Sequence, residues 1–209
     1  MLFRSKTDKL FGTDLSNGDL IQGSIWIGDG SLLWLPVPSL SHGVIWISCP
    51  LLLNRYARIA NVTSQTAIAP YLCNFYQANE KVYLKDAIFK DSDLNEWNKD
   101  HVKDFIPSQS NVMIERVLVL PDQHCATVIQ MGLWRQVKIK LDQHKTVDGG
   151  FRYEEAIPPD TLMYFPWGIT AQAKDNQEAS EDFKDLLAAN PIIQIGGQES
   201  LGRGFVESF

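Results

Sequence analysis

Apolar residues along the chain gather in short β-branched and aromatic blocks separated by Gly, Pro and Asn, a pattern of strands with a few helices. Ser24 to Ile27 reads as a strand. After the turn at Asp29-Gly30, Ser31 to Leu35 reads as a second, stopping at Pro36-Val37-Pro38 because proline offers no N–H to a ladder. Val44 to Ser48 is a third strand, and Pro50 then suits the first turn of a helix bearing Leu51, Leu52, Leu53, Tyr56 and Ile59. The first 23 residues are predicted to be loop-rich, with turn signals at Gly12, Asn17-Gly18 and Gly23 and no opening strand or helix.

Farther along, six acidic residues and three lysines surround Trp97 and Val102 between Asp86 and Asp104, which predicts a surface helix. Val112 to Leu120 reads as a strand ending at Pro121-Asp122, and Thr127 to Leu141 as an extended run. Gly149-Gly150 marks a turn, Thr161 to Phe165 a strand, and Ala171 to Ala189 a helix with Phe183, Leu186 and Leu187 on one face. Asn190-Pro191 stops that helix before a short strand, Ile192 to Ile195, and no internal repeat is visible.

Charge narrows the classes of function. The 209 residues carry 19 Lys plus Arg against 25 Asp plus Glu, a net charge of −6, so a free-standing nucleic-acid binder is excluded and any such contact must be local. The most cationic window runs from Arg135 to Arg152, with five basic residues, Lys138 and Lys140 among them, against Asp142 and Asp148. Cys49, Cys73 and Cys125 have no CxxC pairing or zinc-ligand spacing and read as core thiols in a reducing compartment. Gly30 to Leu53 lacks any Asp, Glu, Lys or Arg, yet Pro36, Pro38, Gly43 and Pro50 divide it, and a buried strand fits better than a membrane span. With no signal peptide legible, a cytoplasmic protein is expected.

Two places could carry chemistry. Ile195-Gly196-Gly197-Gln198-Glu199-Ser200-Leu201-Gly202-Arg203-Gly204 follows a strand, and its glycines can turn backbone N–H groups toward an anion. It resembles a Walker A loop in spacing, but Arg203 stands for the required Lys, Gly204 for the Ser/Thr, and too few residues follow for the helix that loop needs. Beside Tyr153, Glu154 and Glu155 could serve as general base or metal ligand, although alternation on a strand sends adjacent carboxylates to opposite faces. His42, His101, His124 and His144 are scattered, and His124-Cys125 read as strand neighbours facing opposite ways.

The glycine-rich segment above resembles that of the RAMP proteins of CRISPR systems, and among them the backbone subunits of type III-B (Cmr) effectors. Phe11-Gly12, Gly23 through Asp29, Leu32-Leu33, Pro36-Val37, Ser39 and Ser48-Cys49-Pro50 are similar to the early core of that family in order and spacing. A third match runs from Lys138-Ile139-Lys140-Leu141 through Thr146-Val147, Gly150 and Tyr153-Glu154-Glu155 to Ile157-Pro158-Pro159-Asp160-Thr161. The resemblance implies an α+β fold: one ferredoxin-like, RRM-like palm over residues 1–209 with helical elements and a thumb hairpin inserted around 110–155. It implies copies stacked as a filament along guide RNA, with target RNA and other Cmr subunits as partners and no membrane. Gly196, Gly197, Ser200, Gly202 and Arg203 would contact guide-RNA phosphates, with Lys138 and Lys140 adding to the RNA-binding set.

Tyr153, Glu154 and Glu155 would lie near the target backbone as candidate catalytic residues, with Mg2+ or another divalent cation assisting cleavage and no structurally bound metal. The first strand, first helix and catalytic aspartate loop of the family are expected to be missing before Met1, and Pro38 replaces its usual arginine. A stand-alone metal-assisted RAMP endoribonuclease and an inactive split gene product are the competing expectations.

Overall fold

The computed structural model describes residues 2–13, 22–62, 67–85, 87–110, 113–171, 173 and 176–209. In chain order these form α1 (Leu2–Phe11), β1 (Ile25–Ile27), β2 (Ser31–Ser39), β3 (Gly43–Ser48), α2 (Pro50–Ile59), β4 (Leu72–Cys73), β5 (Val82–Leu84) and β6 (Ala87–Phe89). There follow β7 (Asn95–Glu96), α3 (Lys99–Lys103), β8 (Val117–Val119), α4 (Asp122–Gly132), β9 (Trp134–Leu141) and β10 (Val147–Ala156). The chain closes with β11 (Leu162–Tyr164), β12 (Trp167–Ile169), α5 (Asn176–Ala189), β13 (Ile192–Gln194) and β14 (Phe205–Glu207). Two compact units result, one of Ser31–Tyr164 and one of Met1–Gly30 with Phe165–Phe209. The expected turn at Asn17-Gly18, Asp86 and Val112 lie outside the described residues.

The 31–164 unit is built on a mixed sheet in the order β6-β5-β2-β3-β8-β4-β7, with β11 also on β2. Val117, Leu118 and Val119 are all fully buried, because helices cover both faces of the sheet at β8, and a strand so placed reads as an unbroken apolar run. Leu118, Leu120, Ile45 and Ile47 pack with Cys125, Val128 and Ile129 of α4 on one face. On the other, Val117 and Val119 meet Leu53 and Tyr56 of α2, Val102 of α3, and Trp34, Trp97 and Phe105. Trp34 adds a polar anchor, its Nε1–H donating to the Phe105 carbonyl at 2.9 Å. In the second unit, β1 pairs with β12, β13 pairs with β14, and Leu10, Ile25 and Phe183 form the core with Trp167, Leu186 and Leu187 beside them.

The α+β class holds, as do the strands at Ile25–Ile27, Gly43–Ser48 and Leu162–Tyr164 and the helix opened by Pro50. Five local readings are corrected. Residues 2–11 form a helix, secured where Leu10 is buried and Lys6 pairs with Asp182 of α5 at 2.6 Å, and Gly12 ends it at φ +88°. Strand β2 runs through Pro36 and Pro38 to Ser39. The two prolines stand two apart, so their missing N–H groups face the same side, between the pairing of β11 at Ser31–Trp34 and of β5 at Ser39.

The acidic stretch before Asp104 is not one helix. Asp91 and Asp93 accept the Ser92 and Lys90 N–H groups in one short turn, Asn98 accepts the Asp100 N–H to cap the five-residue α3, and Asn95 and Glu96 between them pair with β4. Residues 122–132 are helix α4, which takes in the start of the run expected to be extended from Thr127: Pro121 precedes it, Asp122 stands in its first turn, and Cys125 points into the core. His124 and Cys125 are therefore helix neighbours rather than strand neighbours. Finally, Gly149-Gly150 is a bulge within β10, at φ +83° and +96°, and the chain turns at Asp142–Thr146 instead.

Candidate nucleic-acid interface

Strands β9 and β10 make a long antiparallel hairpin in register from Phe151–Ile139 to Ala156–Trp134. Alternation sorts its residues onto two faces. On one lie Val137, Ile139, Leu141, Val147, Phe151 and Tyr153, between 47% and 66% exposed, with Phe151 and Tyr153 edge to face at 5.5 Å. Arg135 and Glu155 close the end of this face at 2.8 Å.

The opposite face is charged. Lys138 and Arg152 stand directly across from each other, a repulsive arrangement relieved by Glu154, whose carboxylate reaches Lys138 at 2.6 Å and Arg152 at 3.4 Å. Farther out, Lys140 pairs with Asp148 at 2.7 Å. Thus the cationic window is real, but the same hairpin supplies most of its neutralisation, and Glu154 and Glu155 just past its end complete that balance.

Glu154 and Glu155 therefore act as separate ion-pair partners on opposite faces. A shared divalent cation does not fit them, since the oxygens of Glu154 are held by two cations and Glu155 is turned to Arg135. Among the described residues no group of three His, Cys, Asp or Glu side chains is placed to hold a metal ion. Tyr153 sits two-thirds exposed on the apolar face, away from Glu154. The hairpin tip is fastened by Asp142, which accepts the N–H groups of His144 and Thr146 and the Thr146 hydroxyl at 2.6 Å. Those bonds, the side-chain hydroxyl first, hold the Asp142 carboxyl below its ordinary value.

The glycine-rich segment is the loop joining β13 to β14 in the other unit. Gly196, Gln198, Gly202 and Gly204 all take positive φ, and Gly204 has no room for a Cβ against the Ile195 carbonyl. The N–H groups of Gly202 and Arg203 are used inside the loop, donating to Glu199 and Gln198 carbonyls at 2.8 and 3.4 Å. Those of Gly196, Gly197 and Ser200 have no acceptor among the described residues, and all three residues are exposed. Arg203 is steadied by its Nη1, which donates to Gln198 Oε1 at 3.2 Å. A strand rather than a helix follows, so the loop is not a nucleotide-triphosphate loop.

Sequence reasoning reached the glycine loop, Lys138, Lys140 and the carboxylates, but not the apolar face. Its signal is the alternation of Val137, Ile139 and Leu141, obscured because strand-forming residues set in at Thr127, inside α4.

A mixed sheet packed against helices, with a long charged hairpin and a C-terminal glycine loop, makes an α+β fold of the palm class, and residues 3–207 match the RAMP superfamily. The chain belongs to that superfamily. It is 29% identical over 220 residues to the CRISPR system Cmr endoribonuclease Cmr4 of Pyrococcus furiosus, covering 97% of this chain and 74% of that protein. The crystal structure of oligomeric Cmr4 from the same organism is similar at a TM-score of 0.68 and 25% identity, over 97% of this chain and 76% of that one. A chain of the type III-B Cmr-beta complex bound to cognate target RNA shares the fold at a TM-score of 0.73 and 20% identity, over 98% of this chain and 75% of its own. No helix among the described residues is long and apolar enough to cross a membrane.

Proposed function

We propose that the chain is an RNA-binding backbone subunit of a type III-B (Cmr) CRISPR ribonucleoprotein, working with guide RNA, target RNA and other Cmr subunits. Similarity to Cmr4 across 97% of the chain carries this reading. Copies stack along the guide in the cytoplasm, each gripping the sugar–phosphate backbone and leaving base edges to hybridise. Stacking reconciles a net charge of −6 with RNA binding, because local donors are repeated along one strand.

Within each copy, the exposed amides of Gly196, Gly197 and Ser200 with the Arg203 guanidinium receive a guide phosphate. The β9–β10 hairpin is the thumb: Lys138, Lys140 and Arg152 meet backbone charge on one face, and Phe151 and Tyr153 offer aromatic surface to bases on the other. Glu154 and Glu155 position those cations, and any divalent cation used in target cleavage is held elsewhere than between these two carboxylates.

Co-expression with a CRISPR transcript and the remaining Cmr subunits tests the assignment. The expected result is co-purification in one ribonucleoprotein, with the guide protected from nuclease at a regular interval. Assembly of the remaining subunits and guide without this chain, in an otherwise complete particle, would overturn it.

A further inference from the structure

Strands β13 and β14 pair with each other, and no third strand joins them among the described residues. The bonds that close the pair include the Ile195 N–H to the Gly204 carbonyl at 2.7 Å and the Ser208 N–H to the Pro191 carbonyl at 2.9 Å. Ile193 stands opposite Val206 between them, so alternation turns the backbone groups of Ile192 and Gln194 away from β14. Neither of those N–H groups has an acceptor among the described residues. An open edge is ordinarily guarded by a lysine, a proline or a bulge. Strand β13 reads Ile192-Ile193-Gln194 in unbroken register and carries none of them. Its apolar side chains lack cover as well. No residue of β13 or β14 belongs to a buried cluster among the described residues, and Ile192, Ile195, Phe205 and Phe209 are each more than half exposed. A hairpin of two strands in that condition is marginal in water.

We infer that the outer edge of β13 takes an extended strand from another polypeptide, which turns the pair into a three-stranded sheet. The unpaired backbone groups select this occupant. An extended chain presents N–H and C=O groups at the spacing of Ile192 and Gln194, which is the basis of strand addition at a sheet edge. The side chains of β13 then set the composition of the added strand. Ile192 lies on one face, with Phe205 across from Gln194, while Ile193 lies on the other with Val206. Since β13 has no charge and an isoleucine on each face, the added strand is an uncharged run with β-branched or aromatic residues on both faces. A second copy of β13 is the poorer occupant. In a two-fold antiparallel pairing with itself, each Ile192 meets the Gln194 amide of the other copy, whereas a separate strand sets an apolar residue beside Ile192.

Amide hydrogen exchange of the full chain, read residue by residue by NMR with and without the end-blocked peptide Lys-Thr-Val-Thr-Ile-Thr-Val-Lys, tests the inference. Saturating peptide should slow exchange at Ile192 and Gln194 by roughly tenfold, and should change Ile193 and Ile195, already bonded toward β14, much less. Gln194→Pro removes one outward donor and no bond to β14, and Ile192→Lys installs the guard the edge lacks. Both variants should keep the protection of Ile193 and Ile195, which reports an intact pair, and lose the response to peptide. No slowing in the wild-type chain would overturn the inference, as would slowing at Phe205 and Glu207 in place of Ile192 and Gln194. An equal response in a variant that keeps the pair intact would also overturn it. So would a dimer of the chain alone that Ile192→Lys dissociates, since a second copy then holds the edge.

Discussion

Glu154 shows how one carboxylate organises a cationic surface. It lies between two basic side chains that repel each other across the hairpin, and its own side chain is only 14% exposed, so its bonds are shielded from water more than those of an ordinary surface pair. Glu154→Gln keeps the shape and removes the charge. The hairpin should lose about 1.5–3 kcal/mol of local stability, the scale of a charge-assisted hydrogen bond, seen as faster amide exchange at β9 and β10. RNA should bind roughly threefold tighter, since phosphate no longer competes with the Glu154 carboxylate for Lys138 and Arg152, on the scale of one released ion pair. Unchanged exchange, or a fall in affinity with the fold intact, would contradict the pairing role. In the core, Leu118→Ala removes a fully buried side chain from the central strand and should cost about 2–5 kcal/mol in denaturant unfolding.

Elements of this chain are decided by what packs on them as much as by their own residues, and that governs what the sequence discloses. Strand β3 and helix α2 were legible because Val44–Ile45–Trp46–Ile47 and the Pro50 start are strong local signals. Helix α4 was not, because Thr127, Val128 and Ile129 carry strand propensity that the packing of Val128 and Ile129 against β2 and β3 overrides. Strand β2 hid its length because two prolines normally end a ladder, and only the pairing pattern shows that their missing donors lie where no neighbour needs them. The glycine loop was found in outline, but the spending of the Gly202 and Arg203 amides inside it depends on a turn invisible to composition.

At this scale, Gly204→Ala should disrupt the β13–β14 closure, since a Cβ meets the Ile195 carbonyl at a positive φ, and near-ultraviolet dichroism and protease resistance of the C-terminal segment should both fall. The hairpin tip carries an acid-sensitive fastening. Folding depresses the Asp142 carboxyl below 3.8, so its contribution is complete above that value and declines as pH falls through it toward the lower folded value. Between the two values the unfolded state takes up protons that the folded state does not. The His144 and Thr146 amides should accordingly lose exchange protection on acidification through this range, and Asp142→Asn should lack that transition.

For the molecule as a whole, the proposed function has an acidic protein grip RNA locally, by its sugar–phosphate backbone and without reading bases. Neither the glycine loop nor the hairpin carries a large cationic excess: the hairpin balances its own charges, and the loop offers amides beside a single arginine. Affinity for one copy should therefore be modest and multiplied by repetition along a strand. The most direct test is filter binding of several unrelated single-stranded RNAs across a salt series, for the wild-type chain, Arg203→Ala and Lys138→Ala. Each substitution should weaken binding by the same factor on every RNA and reduce the magnitude of the log–log salt slope by about 0.7, the release expected for one phosphate contact. Losses that depend on RNA sequence, or a slope that neither substitution changes, would contradict the account.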